Sequence, residues 1–337
     1  MEITTIGLDL AKSVFQLHAV DADGAVIWRK KIRRGALLDT LAKIPPCLIG
    51  MEACATAHYW AREISALGHA VRLMPPAYVK AYLRRQKNDA ADAEAICEAV
   101  RRPTMRFVPV KSPEQQAVLV LHRSRELLVR QRTMLINAIR AHCAEFGLIT
   151  PQGTRGARDL IEQANSSVLP DIARDVVTLM AEQLQAVVTQ IQTLNRRLLA
   201  WHRQDQASQR LATIPGVGVI SATALAASVT DPSQFRSGRE FAASLGLVPR
   251  QNSSGGKDKL GRISKMGDRY LRKLLVVGAT SVVRRARTAD TTAANWVRGL
   301  LERKPARLVT VAMANKTARI VWAVLARGET YRSPVPV

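Results

Sequence analysis

The sequence is poor in cysteine and has no long hydrophobic run. Four cysteines occur among 337 residues, and none of them has the Cys-x-x-Cys spacing. Neither a zinc site nor a disulfide framework is therefore indicated, and we expect reduced core thiols. The longest apolar runs, such as residues 219–229, are shorter than the roughly 20 residues of a membrane-spanning helix. No signal-like segment opens the chain. These absences predict a cytoplasmic protein with no membrane partner.

Acidic residues are also scarce, and this is the main compositional signal. The chain has 50 Lys and Arg against 27 Asp and Glu, a net charge of +23, which favours a polyanionic partner and nucleic acid above all. Residues 206–337 alone hold 22 basic and seven acidic side chains, so the C-terminal part carries most of this charge. Aromatic residues make up only 4% of the chain, which argues against base stacking on an exposed aromatic platform.

Residues 1–110 have the pattern of a mixed α/β domain. Three apolar runs, at residues 3–10, 14–20 and 25–32, read as strands, and an Asp-Gly turn at residues 21–24 joins the last two as a hairpin. Strands and helices then alternate, with strands predicted at residues 47–51 and 70–74 and helices at residues 37–42 and 57–67. We therefore predict a sheet with helices packed on it.

Residues 111–205 predict a helical connector. Ser112, Pro113 and Gln115 form a helix start, and that helix should run to about residue 147. A second helix follows Pro170, and its apolar residues recur in a 3-4 spacing over residues 177–201, which is typical of a coiled coil. Residues 149–167 are read as the link between them. The heptads do not decide whether the helices pair within one chain or between chains.

Residues 206–330 predict a mainly helical C-terminal domain. The segment Ile-Pro-Gly-Val-Gly, which contains Gly216 and Gly218, is typical of a helix-hairpin-helix element, whose backbone N–H groups can approach a phosphate. A plain helix-helix turn would have the same sequence. Residues 251–267 form a polar loop rich in Ser, Gly and Lys.

Four carboxylates are the candidates for metal chemistry. Asp9 lies in an apolar first strand, Glu52 follows an apolar strand, and Asp89 and Asp92 share one face of a helix. Each has a simpler explanation: Asp9 could face solvent from an edge strand, and the aspartate pair could mark a helix start. Together they provide the oxygen ligands that two divalent ions need on either side of a phosphate.

The sequence resembles the DEDD transposases of bacterial insertion sequences and the Piv-type DNA invertases. The resemblance depends on Gly-Leu-Asp-Leu-Ala-Lys around Asp9, Met-Glu-Ala-Cys around Glu52, and Lys-Asn-Asp-Ala-Ala-Asp-Ala around Asp89 and Asp92, and it extends through the C-terminal half. It implies a RuvC-like (RNase H-like) catalytic domain in which these four residues hold Mg²⁺, two ions per site, with Mn²⁺ as an alternative.

The same resemblance implies that a serine in the C-terminal loop is the nucleophile. Ser254 is the matching position, and Ser253 is its neighbour. The family also implies an active site composed from two protomers, hence a dimer or tetramer, and a guide RNA from the element's noncoding end. Such a protein would act in the bacterial cytoplasm, at the nucleoid when active.

Basic residues surround this loop and continue into the next helix. They would stabilise the charge on a pentacoordinate phosphate or bind the backbone electrostatically. The nucleic-acid-binding candidates are Lys257, Arg262, Lys265, Arg269, Arg272 and Lys273 in addition to the two hairpin glycines. Further basic runs, such as residues 284–287, are read as solvated faces.

The carboxylates and the basic charge thus predict a Mg²⁺-dependent DNA recombinase, and the family resemblance implies that it works through a phosphoserine intermediate. A junction-resolving nuclease with the same acids and water as nucleophile is the nearest alternative, and a non-catalytic DNA-binding protein is another. An actin-like ATPase also begins with a Gly-x-Asp strand. We discount it because no second glycine-rich phosphate loop follows.

Overall fold

A mixed β-sheet organises the N-terminal part of the computed structural model, which describes residues 2–83, 88–166, 169–257 and 259–333. In these residues the sheet has five strands in the order β3-β2-β1-β4-β5. The first three strands form an antiparallel meander, whereas β4 and β5 continue parallel to β1. This arrangement confirms the predicted α/β fold. The strands are β1 (Thr5–Asp9), β2 (Val14–Val20), β3 (Val26–Arg33), β4 (Leu48–Glu52) and β5 (Ala70–Met74).

The turn between β2 and β3 is the one that the Asp-Gly signal predicted. The Asp21 carboxylate accepts hydrogen bonds from the backbone N–H groups of Asp23 (3.0 Å) and Ala25 (2.8 Å). Gly24 has a φ of +88°, a conformation that few other residues adopt. The side chain and the glycine together fix the hairpin.

Four helices lie beside the sheet strands in the chain, and one of them packs so closely that its backbone contacts the backbone of a strand. They are α1 (Leu37–Leu41), α2 (Ala57–Ala66), α3 (Pro76–Val79) and α4 (Asp89–Val100). Helix α4 crosses β1 and β4 where both strands carry glycine. A Cβ on Gly7 would lie 2.1 Å from the Ala93 carbonyl oxygen, and one on Gly50 would lie 2.7 Å from the Val100 Cβ. Only glycine permits this approach.

The N-terminal core fills the space on the sheet faces. Phe15 and Trp60 meet edge to face with ring centroids 5.3 Å apart. Cys47 and Cys97 are buried thiols, and Cys143 is buried in a later helix, as expected. Cys54 is exposed, because it lies in the loop after β4 and not in a strand, so its predicted place in the core was wrong.

Two long helices follow, and the segment between them also forms a helix. The helices are α5 (Pro113–Ala144), α6 (Thr154–Ser166) and α7 (Asp171–Gln204). The start of α5 matches its Ser-Pro signal. The segment predicted as a link contains α6, because Leu160 and Ala164 pack against Ile139 of α5 and Val177 of α7. Ser167, the end of that segment, and Lys87 of the DEDD-like motif lie outside the described residues.

The apolar 3-4 pattern of α7 is its packing face. Val177, Val187, Ile191 and Leu198 are buried along it. Val118, near the start of α5, shares an apolar cluster with Leu198, near the end of α7. The two helices therefore contact each other within one chain, and a coiled coil between chains stays a prediction.

The C-terminal part is helical with one small hairpin. Its elements are α8 (Gln206–Ala212), α9 (Val219–Ser228), α10 (Gly238–Ser244), β6 (Pro249–Gln251), β7 (Leu260–Ile263), α11 (Arg269–Arg285), α12 (Thr292–Leu301) and α13 (Ala306–Arg327). The β6–β7 hairpin overlaps the predicted polar loop: β6 begins two residues before the loop, and β7 lies within it. Its strands were missed because they are short and mostly exposed, so no apolar alternation marks them.

Helix α13 is the one described helix that is long and apolar enough to cross a membrane. It packs in the C-terminal core, with residues such as Met313, Ala314 and Val321 buried against α10 and α11. Its apolar character is therefore accounted for by the core of this part of the chain.

Backbone contacts divide the chain into two units, Met1–Pro113 and Glu114–Val337. The long helices α5 and α7 group with the C-terminal elements in this division. The finer separation into residues 1–110, 111–205 and 206–330 stays a prediction.

The close approach of α4 to the sheet makes Gly7 a stability determinant. We expect Gly7→Ala to lower the free energy of unfolding by about 1–3 kcal/mol or more, because the added methyl group overlaps the backbone of α4. Thermal unfolding measures the effect. Gly35→Ala is the matched control, since no atom lies within 4 Å of a Cβ there. Equal stability of both variants would contradict the proposed packing constraint.

Candidate metal centre and phosphate-binding loops

Three of the predicted carboxylates converge at one end of the N-terminal sheet. Asp9 ends β1, and Asp89 and Asp92 lie in the first turn of α4. One oxygen of each carboxylate lies within 4.8 Å of an oxygen of the others. The spacing is that of a group that can share one or two divalent cations.

Local sequence explains why the two helical aspartates point to the same place. Asn88 caps α4, and its side-chain oxygen accepts a hydrogen bond from the Ala91 N–H at 2.8 Å. Asp89 is the first helical residue, and Asp92 lies one turn later on the same face. The helix N-terminus favours both carboxylates, so the helix-start explanation and the metal-site explanation hold together.

Glu52 lies next to Asp9 at the same end of the sheet. Strands β1 and β4 are parallel, and Leu8 pairs with Met51, so each carboxylate is the next residue along its strand. The charge of Glu52 contributes to raising the pKa of Asp9. Glu52 is not part of the three-residue group within 4.8 Å, so it borders that group on one side.

The environment of Asp9 is electrostatically unfavourable for a carboxylate. Burial, followed by the charges of Asp92, Asp89 and Glu52, raises the pKa of Asp9 to about 6. Strand β1 is central, with β2 and β4 on either side, so the edge-strand explanation for Asp9 was wrong. A divalent cation would remove this repulsion, and the four oxygen donors suit Mg²⁺ or Mn²⁺.

Ser254 lies at the tip of the β6–β7 hairpin. It pairs with Lys257 across a turn, and the Lys257 N–H donates to the Ser254 carbonyl at 3.1 Å. The two central residues, Gly255 and Gly256, have φ values of +56° and +75°, as a type I′ turn requires. The serine is exposed to solvent.

The two neighbouring serines differ in their hydrogen bonds. The Ser253 hydroxyl accepts bonds from the Gln251 side chain and the Lys259 N–H, both at 3.2 Å. Within the described part of the chain, the Ser254 hydroxyl forms no hydrogen bond. Ser253 therefore serves the hairpin, whereas Ser254 is available to a ligand.

The predicted basic residues fall into two groups. Arg272 donates to the carbonyl oxygens of Leu245 (3.0 Å) and Met266 (2.7 Å), which holds the segment before α11, and Lys273 forms an ion pair with Glu126 at 3.2 Å. These two cations have structural partners that the sequence could not reveal. Four others are exposed around the hairpin and the start of α11, and they are Lys257, Arg262, Lys265 and Arg269.

The predicted glycine hairpin joins α8 to α9. Gly216 has a φ of +84°, and a Cβ there would lie 2.9 Å from the Gly278 carbonyl oxygen of α11, so this glycine is needed for packing. Gly218 is exposed and caps α9, and no atom would meet a Cβ there. The N-terminus of α9 is therefore accessible to an anion.

Two arginines of the basic run at residues 284–287 face this hairpin. Arg284 and Arg285, at the end of α11, line an open cleft of about 640 Å³ together with the Gly216–Gly218 backbone. The basic run was visible in the sequence. Its position beside the hairpin depends on how α11 packs, which no local pattern shows.

We expect Mg²⁺ to stabilise the folded protein through the carboxylate cluster. Adding Mg²⁺ should raise the melting temperature of the wild type and leave Asp9→Asn nearly unchanged, because a ligand stabilises only the state that binds it. Without metal and above pH 6, the wild type should have a lower melting temperature than Asp9→Asn. The raised pKa means that ionising Asp9 destabilises the fold, so stability is lost as pH rises through about 6 and Asp9→Asn avoids that loss.

Below about pH 4 the two metal-free proteins should have similar melting temperatures, because Asp9 is then protonated in both states. Equal Mg²⁺ stabilisation of both proteins at pH 7 would contradict the metal-binding role of this carboxylate.

Family models match both the N-terminal and the C-terminal part of the chain. A family model for DEDD transposases of the IS110 type, described as "Transposase", matches residues 6–147 and so contains all four carboxylates. A second model, described as "Transposase IS116/IS110/IS902 family", matches residues 208–294 and so contains the glycine hairpin and the serine turn.

Relatives named as transposases match nearly the full length of the chain. A "Probable family 20 transposase" of Pseudomonas aeruginosa is 49% identical over 98% of this chain and 99% of its own length. The transposase for insertion sequence element IS1328 of Yersinia enterocolitica is 41% identical, with 98% of each chain covered. The transposase for IS1111A of Coxiella burnetii is 39% identical over 98% of this chain and 92% of its own. The chain therefore belongs to the IS110/IS116 family of insertion sequence transposases.

Proposed function

We propose that this transposase cuts and exchanges DNA strands by metal-dependent phosphoryl transfer with Ser254 as the nucleophile. The observation that carries the proposal is the convergence of Asp9, Asp89 and Asp92 within 4.8 Å, with Glu52 beside them. Burial and the charges of the three neighbouring carboxylates raise the pKa of Asp9 to about 6, and such a group is costly to keep unless a cation binds it. Metal-assisted attack on a phosphodiester is the chemistry that such a group serves.

Bound Mg²⁺, or Mn²⁺, would polarise the scissile phosphate and stabilise the charge that develops on its oxygens. Asp9 and Glu52 present their carboxylates from rigid strand ends, and Asp89 and Asp92 present theirs from a capped helix turn. These rigid elements would hold the four carboxylates in position for a metal ion. A count of two ions per site fits four carboxylates.

The serine step conserves the energy of the phosphodiester bond. The Ser254 oxygen forms a bond to phosphorus as its proton passes to a base or to water. The bond from phosphorus to the leaving strand oxygen breaks, and that oxygen takes up a proton as a hydroxyl group. A strand hydroxyl can later attack the phosphoserine and reverse the sequence, which rejoins DNA without another energy source.

The basic residues and the glycine hairpin would hold the DNA. Lys257, Arg262, Lys265 and Arg269 are exposed around the serine hairpin and can contact phosphate oxygens. Gly218 offers the N-terminus of α9 to another phosphate, and Arg284 and Arg285 add charge beside it. These contacts would position the duplex without reading its sequence, because phosphates carry no base information.

The family resemblance supports further partners. Two strands must be cut and exchanged, so a dimer or tetramer is expected, with an active site composed from two protomers. A guide RNA that pairs with donor and target DNA would supply the sequence specificity that the phosphate contacts lack. The net charge of +23 suits RNA as well as DNA. Such a protein would act at the bacterial nucleoid in the cytoplasm.

We expect a covalent protein–DNA adduct that depends on Ser254. Full-length protein is incubated with Mg²⁺, labelled element-end DNA and RNA transcribed from the element's flank, and then denatured. Wild type and Ser253→Ala should retain the label, and Ser254→Ala should lose it, because Ser254 is the proposed nucleophile whereas the Ser253 hydroxyl accepts hydrogen bonds within the hairpin. Electrophoresis under denaturing conditions measures the adduct. Cleavage without an adduct in all three proteins would identify a water-using nuclease instead.

We also expect Asp9→Asn to abolish cleavage while DNA affinity stays within about twofold of wild type, because removing one metal ligand affects chemistry more than backbone binding. Cleavage rates and filter-binding titrations separate the two properties. Lys43→Ala, a surface change away from the cluster, serves as the control. Undiminished cleavage by Asp9→Asn would remove Asp9 from the active site.

A further inference from the structure

An open groove of about 590 Å³ lies between the serine hairpin and the last two helices of the C-terminal unit. Its floor is apolar. The hairpin contributes Pro249 and Ile263 to it, and α13 contributes Leu308 and Val311. Leu308 is 53% exposed although it is a large apolar residue. The groove therefore offers apolar surface to a ligand instead of closing over it.

Three cations border this apolar floor. Arg262 lies on β7, and Lys316 and Arg319 lie on α13. Among the described residues no carboxylate forms an ion pair with any of them. Burial and the like charge of Arg319 lower the pKa of Lys316. The groove thus holds positive charge that no acidic side chain of the described ranges pairs with, and an anionic ligand would balance it.

An aromatic ring and an amide complete the lining. The Lys316 ammonium lies 4.1 Å from the centre of the Trp296 ring. Asn315 donates from its side-chain nitrogen to the Leu247 carbonyl at 3.1 Å, which orients the amide and leaves its oxygen as an acceptor. The combination of an indole ring, an oriented amide and nearby cations matches a ligand with a flat apolar ring, polar ring edges and a negative charge.

We propose that this groove binds one unpaired nucleotide of the DNA strand that the serine hairpin engages. Its base would lie on the apolar floor beside Trp296, and its phosphate would contact Arg262 and Arg319. A base inside a duplex cannot reach such a floor, so the ligand is a nucleotide that has left the stack. The choice of strand rests on the proposed function of Ser254.

The position of the groove favours the DNA strand over another anion. Gln251 pairs with Leu260 in the hairpin, so Gly261 on the groove wall lies about four residues along the strands from Ser254. At about 3.3 Å per residue this is roughly 13 Å. A strand held at the serine therefore needs to extend only a few nucleotides to reach the groove.

Photocrosslinking tests the proposal directly. Full-length Ser254→Ala protein, which cannot form the serine bond, is mixed with single strands that carry 5-iododeoxyuridine at successive positions around the cleavage point. After irradiation, the crosslinked peptides are identified by mass spectrometry. We expect crosslinks to Trp296 from one or two adjacent positions, because Trp296 is the one aromatic side chain among the described residues that line the groove.

Two variants with matched controls test the floor and the charge separately. Leu308→Ser removes apolar floor, and Leu260→Ser removes a similarly exposed leucine outside the groove. Arg319→Ala removes a groove cation, and Arg327→Ala removes an exposed cation elsewhere on α13. We expect each groove variant to reduce the Trp296 crosslink at least about fivefold, in line with the loss of one stacking or phosphate contact. The controls should keep it, and thermal unfolding confirms that all four fold.

Several outcomes would overturn the proposal. Crosslinks spread evenly over all positions, or an absence of crosslinks to the groove, would show that no single base enters it. A stronger Trp296 crosslink from single-stranded RNA of the same sequence would assign the groove to RNA. The serine chemistry fails separately, because an absent adduct in the wild type with a retained Trp296 crosslink refutes only the role of Ser254.

Discussion

The contact between α4 and β1 determines the candidate metal centre. Because Gly7 has no side chain, the helix backbone lies directly on the strand, and the first turn of the helix meets the end of the strand. This contact brings Asp89 and Asp92 to Asp9 although the carboxylates repel one another. Burial of Asp9, and after it this repulsion, raise the pKa of its carboxyl group, and the burial of the apolar face of α4 offsets the cost. The packing of α4 on the sheet therefore holds the three carboxylates within 4.8 Å of one another.

The serine turn is fixed by backbone constraints of the same kind. Two successive glycines with positive φ values close the hairpin. Arg272 donates to the carbonyl oxygens of Leu245, before the hairpin, and Met266, after it, and so connects the two flanking segments. The arginine thus contributes to the site without needing to touch a phosphate. Its neighbour Lys273 is partly neutralised by Glu126. Formal charge in this part of the chain therefore overstates the charge that a nucleic acid would meet.

The sequence could predict features that depend on neighbouring residues. The Asp21–Gly24 turn, the N-terminal strands and the start of α5 follow local rules, and the structure confirms them. The central position of β1 could not be predicted, because strand order depends on contacts distant in sequence, so Asp9 could be placed at an edge. Helix α6 was missed since its apolar residues gain their partners only from α5 and α7. The sequence alone could not distinguish Ser254 from Ser253, because the distinction depends on the hydrogen bonds that Ser253 accepts in the folded hairpin.

The exposure of Ser254 distinguishes its proposed role from that of a hydrolytic residue. A nucleophile that stays bonded to a DNA strand must leave room for that strand and must hold it until rejoining. A buried serine with fixed hydrogen bonds would provide neither. A solvent-exposed turn provides the room, and nearby cations and an apolar groove on the same hairpin can hold the strand end while the phosphoserine persists. Water as nucleophile would need no such retention, so these features together favour strand exchange over simple cleavage.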